Sequence, residues 1–230
     1  MAKKKNQSPE SIEAVESALS KTEQFLENNQ KIILYVVVGI AAIVLGFMGY
    51  KKYILEPKQK EAQSIMFAAE RYFEMDSLNL ALYGDGVNYG FIDIIDEYKR
   101  TKAGNLSCYY AGISYLRLGQ FNEAIDYLKK FSSKDMIIGA MAKGAIGDAY
   151  MELGDMENAL DYYEEAADHS TNDFTTPIFL MKAATVCEMN GDFEKALEMY
   201  NRIKFEHHNS FESREIEKYI SYAETMLAKE

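Results

Sequence analysis

Polar and apolar positions along this chain follow three successive rules. From Ser8 onward, Ile12, Val15, Leu19, Thr22 and Leu26 recur at spacings of three and four, opposite Glu10, Glu13, Glu16 and Glu23. That period predicts a helix with a narrow apolar stripe, and Pro9 falls in its first turn, where a missing N–H costs nothing. Such a stripe suits a partner or a membrane surface, and equally a helix that orders only in context. From Ile32 to Tyr50 the alternation stops, leaving 19 residues without a charge. Beyond Lys58 the three-to-four spacing returns and holds to the end of the chain, which predicts a series of short helices and no strands.

The uncharged run is long enough for a membrane span, since a helix rising about 1.5 Å per residue covers roughly 28 Å over it. Lys31 precedes it and Lys51 and Lys52 follow, with Tyr35, Tyr50 and Tyr53 near the expected headgroup levels. A cleaved signal peptide fits less well, because the run starts late and ends in lysines rather than at a small-residue cleavage site. Within it Gly39, Ala42, Gly46 and Gly49 fall on one face, which predicts a close helix–helix contact with a second copy or another membrane protein. Charge does not decide the orientation. Lys21 and Lys31 precede the span closely, while Lys51, Lys52, Lys58 and Lys60 follow it.

From about Asn105 the sequence repeats. The segments starting at Ala111, Ile146 and Ala183 align on Gly119, Gly154 and Gly191, with periods of 35 and 37 residues. Gly112, Gly147 and Ala184 are small where a first helix approaches a second. Tyr115, Tyr150 and Cys187 follow three residues later, and the aligned glycines end the first helix. Asp155 and Asp192 are placed to cap the second helix. Ala124, Ala159 and Ala196 give its close contact, and Leu128, Tyr163 and Tyr200 its bulky residue one turn on. Position by position these segments resemble tetratricopeptide repeats, a family whose period is near 34 residues. Lys143 and Cys187 depart from the pattern.

With the uncharged run, the resemblance implies an all-α fold: a single transmembrane helix followed by an α-solenoid of tetratricopeptide repeats with a C-terminal capping helix. The expected organisation is an N-terminal tail (1–30), the span (31–52), a linker with a degenerate first repeat (53–104), three repeats (105–212) and the cap (213–230). Helices are expected over 61–76 and 88–100 in the first repeat, separated by a long loop from Ser77 to Val87. In the cap, Ile216, Ile220, Ala223 and Leu227 are expected to face inward.

Charge narrows the partners. Residues 58–230 hold 30 acidic against 18 basic side chains, a net of −12, while residues 1–57 hold 6 against 7. Such a domain repels nucleic-acid phosphates. Two cysteines, Cys108 and Cys187, are too few for a disulfide framework and are expected to be buried thiols. His169, His207 and His208 fall in expected loops, and no metal-ligand, nucleophile or phosphate-loop motif accompanies them. No catalytic residue, metal site or cofactor is expected, so the chain reads as a non-enzymatic interaction module.

In the tetratricopeptide family the first helices line a concave groove. Carried over to this sequence, the groove positions are Tyr109, Leu116, Met141, Asp148 and Met151, then Met181, Thr185, Glu188 and Met189. Four are methionines, whose flexible thioethers suit varied apolar partners, although the same spacing suits packing. The lysine and asparagine pattern that clamps a peptide's terminal carboxylate in some members is missing.

In layout the chain resembles the YfgM family of bacterial inner-membrane proteins. That resemblance implies a cytoplasmic N-terminus, periplasmic repeats, and association with the SecYEG translocon, a membrane-anchored periplasmic chaperone and exported polypeptides. A scaffold of another envelope assembly and a regulatory subunit of a membrane enzyme are the alternatives.

Overall fold

A computed structural model of the chain describes the backbone of residues 9–229 and the side chains of residues 28–229. The basic start and the side chains of the stripe from Ile12 to Leu26 lie outside the described residues. Contacts divide the chain into two units, with the boundary between Pro57 and Lys58.

In the first unit, α1 (Pro9–Tyr50) is a single helix of 42 residues. The sequence suggests an amphipathic helix and a separate span. No glycine or proline stands between Leu26 and Ile32, so nothing breaks the ladder there. The apolar run is long and apolar enough to cross a membrane, and none of it is buried within the chain. A π-helical turn, Lys51–Leu55, follows, closed by a bond from the Glu56 N–H to the Lys51 carbonyl. Pro57 has no N–H to continue an α ladder here, which accounts for the wider turn.

The second unit begins in α2 (Glu56–Glu74), which buries Ala62, Met66 and Ala69 on one face. The expected loop after it is partly helix. Leu78–Tyr83 forms α3 and buries Leu78, Ala81 and Leu82. Their spacing already marks one helical face, but a single turn is too short to register as a period. Asp85 organises the remaining turn by accepting bonds from the N–H groups of Val87 and Asn88 and from the Tyr72 hydroxyl. Those bonds, the Asn88 N–H foremost, hold its carboxyl well below the usual range. The next helix, α4 (Phe91–Tyr98), is shorter than expected, starting at Gly90, whose N–H Asp93 accepts at 3.1 Å.

Three helix pairs follow: α5 (Lys102–Arg117) with α6 (Phe121–Lys130), α7 (Ile138–Glu152) with α8 (Met156–Asp168), and α9 (Thr176–Met189) with α10 (Phe193–Glu206). Each first helix ends at a left-handed glycine: Gly119, Gly154 and Gly191 have φ of 74°, 76° and 78°. Asp155 and Asp192 cap α8 and α10 by accepting the N–H groups of Asn158 and Lys195. Pairing is close because the crossings are small. A Cβ on Gly112 would stand 2.4 Å from the Leu128 side chain, and one on Gly147 2.6 Å from the Tyr163 ring. Lys143, one departure from the repeat pattern, is ion-paired with Glu165 at 2.7 Å.

A 3₁₀ turn, Glu212–Glu215, leads into α11 (Ile216–Leu227), which lays Ile216, Ile220 and Ala223 over the end of the stack. Leu227 is half-buried. Cys108 and Cys187 are free, buried, and packed in different parts of the core.

Candidate binding groove

Stacking three helix pairs leaves a concavity of about 680 Å³ along the first helices. Leu116 and Arg117 of α5, Met151 and Glu152 of α7, and Thr185 and Val186 of α9 stand around it, with Phe121 and Gly119 at the first turn between helices. Asp148, Tyr163 and Lys182 complete the lining.

These last three form a connected polar group. Lys182 Nζ lies 2.5 Å from Asp148 Oδ1, and the Tyr163 hydroxyl donates to the same oxygen at 2.7 Å. The ammonium also sits 5.5 Å from the centre of the Tyr163 ring. Tyr163 is buried on α8, directly under Gly147 of α7, so its hydroxyl reaches past the glycine to the adjacent carboxylate. Burial first, and then the bond to Asp148, push the phenol far above its ordinary value and keep it a donor. Lys182 balances the carboxylate, so the polar part of the groove carries no net charge while Leu116, Met151, Val186 and Phe121 supply apolar surface.

The same tyrosine position recurs one repeat on. The Tyr200 hydroxyl donates to Glu188 Oε1 at 3.0 Å, and burial raises that phenol too. Asp148 and Glu188 therefore each accept a bond from a buried tyrosine of the paired helix.

Of the nine expected groove residues, the structure brings Leu116, Asp148, Met151 and Thr185 together on the concavity. Tyr109 packs on Phe131 and Tyr110 at ring separations of 5.4 and 5.9 Å. Met181 packs against the core beneath α9. Met141 near the start of α7 and Met189 at the end of α9 are exposed. The small face of α1 is open, with nothing within 4 Å of a Cβ placed on Gly39, Gly46 or Gly49, and Ala42 between them is exposed.

Lys182 and Arg117 are among the groove residues that the repeat pattern does not reveal, and it marks Tyr163 as a core position rather than a groove one. Lys182 leaves a trace in the sequence, as the one basic residue of α9, lying 34 positions after Asp148. Arg117 is held across its helix end by Asp76 at 2.7 Å and lies over the Phe73 ring at 5.5 Å.

Among the described residues no group of histidine, cysteine and carboxylate side chains is placed to hold a metal ion. His169 contacts the Asp135 carbonyl at 3.1 Å, and His207 is buried against Asp173.

Residues 109–135 and 140–203 match two family models, each described as tetratricopeptide repeat. The fold is similar to the crystal structure of the MamA protein, with a TM-score of 0.54 and 18% identity, over 73% of this chain and 88% of that one. It is also similar to the nearly identical TPR-like repeats of a putative kinesin light chain from Podosopora anserina. There the TM-score is 0.54 and the identity 13%, over 74% of this chain and 89% of that one. No curated protein matches the sequence.

Proposed function

We propose that this chain of tetratricopeptide repeats is a non-enzymatic adaptor, anchored in a bacterial inner membrane by residues 32–50, that takes segments of other proteins into the groove between α5, α7 and α9. The groove itself carries this reading. Its apolar walls and charge-balanced Asp148–Lys182–Tyr163 group suit an apolar side chain flanked by backbone amides, which can bond to the carboxylate and the phenol without displacing a net charge.

The exposed apolar helix supports the anchor, because 19 uncharged residues left in water would be a large apolar surface without a purpose. Layout resembling the YfgM family supports the finer assignment: repeats in the periplasm, and a supporting role for polypeptides leaving the SecYEG translocon beside a membrane-anchored chaperone. The open glycine face of α1 is the proposed contact within the membrane.

Photo-crosslinking tests the reading. A crosslinker at position 151, inside the groove, is expected to capture translocon subunits or exported polypeptides, and one at exposed Glu198 on α10 is not. Equal capture from both positions, or none from position 151, would sink the groove proposal. A C-terminal reporter active only in the cytoplasm would overturn the proposed orientation.

A further inference from the structure

The groove lies where first helices end, and those ends differ in charge. The carbonyl end of a helix carries partial negative charge, which a base in the last turn offsets. In α5 that base is Arg117. In α7 the last turn has no base and closes on an acid, Glu152, and both Arg117 and Glu152 line the concavity. The last turn of α9, just beyond the lining residues Thr185 and Val186, also lacks a base and holds Glu188.

The bases of the groove are already committed. Arg117 pairs at 2.7 Å with Asp76, which is not part of the lining. Lys182 pairs with Asp148, so those two charges cancel. Among the described residues no ion pair involves Glu152, and its carboxylate is exposed. Its charge helps to raise the Tyr163 phenol, after burial and Asp148, so its field reaches the polar group of the groove. One acid is thus left unanswered at the carbonyl end of α7, next to Met151 in the sequence.

We infer that the groove selects segments in which a lysine or arginine stands within a residue or two of a large apolar side chain, the cation meeting Glu152 and the carbonyl end of α7. The inference rests on the groove reading above and adds the charge of what the groove takes. A neutral segment leaves Glu152 without a partner. An acidic one is opposed by Glu152 and by the net charge of −12 on residues 58–230. Lysine and arginine suit the site in shape as well, because their aliphatic stems cover apolar wall while the head group stays in water. Leu116, Phe121 and Met151 supply that wall.

The test uses the full chain in nanodiscs of phosphatidylcholine, whose lipid carries no net charge, with a photo-crosslinker at position 151. Three fluorescent peptides, acetyl-Ser-Leu-Xaa-Leu-Ser-amide, differ only in Xaa: arginine, citrulline (the same shape without the charge) or glutamate. Exposed charge pairs are weak, so the arginine peptide is expected to half-saturate capture at a concentration about two- to fivefold below the citrulline peptide, with glutamate above both. Glu152→Gln is expected to bring the arginine and citrulline peptides together, whereas Glu198→Gln, exposed on α10, leaves them apart. Equal capture of all three peptides by the unaltered chain overturns the inference and leaves the groove reading standing. A preference for arginine that survives Glu152→Gln assigns it to the general acidity of the domain and also overturns the inference. Capture of none of the peptides at position 151 removes the groove reading, and the inference with it.

Discussion

Asp148 shows how one carboxylate can be both part of the packing and part of a surface. Its Oδ1 accepts the Tyr163 phenol and the Lys182 ammonium, so removing either partner leaves the other in place. Tyr163→Phe is therefore expected to cost about 1 kcal/mol in urea unfolding, the net value of one neutral hydrogen bond. Asp148→Ala strands the buried phenol without its acceptor and is expected to cost more, about 1–3 kcal/mol. If the two substitutions cost the same and add in the double mutant, the bond contributes nothing. The raised phenols fix the sign of the alkaline response. Tyr115, Tyr163 and Tyr200 titrate above their unfolded value near 10, chiefly because burial disfavours the phenolate. Stability is thus fully present below about pH 10 and falls as pH rises beyond it, because only the unfolded chain releases these protons there. Thermal melts from pH 8 to about 11 read this directly, and Tyr163→Phe should flatten the decline. Cys187, its thiol pushed up to about 11 by burial, adds in the same direction and should resist a thiol reagent until the chain is denatured.

At the scale of helices, crossings depend on missing side-chain atoms. A Cβ on Gly144 of α7 would fall 1.8 Å from the buried Phe179 ring of α9, so the ring or a helix would have to shift. Gly144→Ala is expected to destabilise the domain by about 1–3 kcal/mol despite the better helix propensity of alanine, through overpacking between repeats. An unchanged or higher melting temperature would show that Phe179 swings aside freely. The capping helix is tested in the opposite sense, by emptying space. Ile216, 2% exposed, closes the core over Tyr200 and Ile203, and Ile216→Ala is expected to cost about 2–5 kcal/mol by the same measurement. Much at this scale was legible beforehand. The glycine ends, the aspartate caps and the small crossings are local requirements written at fixed spacing. The exception was α3, where Leu78, Ala81 and Leu82 make one turn whose helicity depends on the core it meets.

For the whole molecule, the anchor reading predicts that the chain stays in the membrane pellet after alkaline carbonate extraction and leaves it only with detergent. A variant with Ile40 and Val44 changed to aspartate should appear in the soluble fraction, since each charge at a span centre opposes insertion by about 2.5–3.5 kcal/mol. Release of the unaltered chain by carbonate would contradict the anchor. The sequence by itself determined the helical class, the repeat period and the apolar run, because each is periodic or continuous along the chain and needs no distant partner to be recognised. It also determined the separation of an acidic repeat region from the N-terminal segment, a matter of composition alone. Only the tertiary structure decided which of the nine expected groove positions meet. Leu116, Asp148, Met151 and Thr185 share the concavity, while Met141 and Met189 are exposed toward the ends of their helices and Met181 packs against the core. It alone paired Asp148 with Tyr163 and Lys182, and Asp173 with His207. Those partners are 15 to 34 residues apart, and helical periodicity, which relates a residue to its neighbours three and four places away, is silent about which distant side chains the stacking brings together.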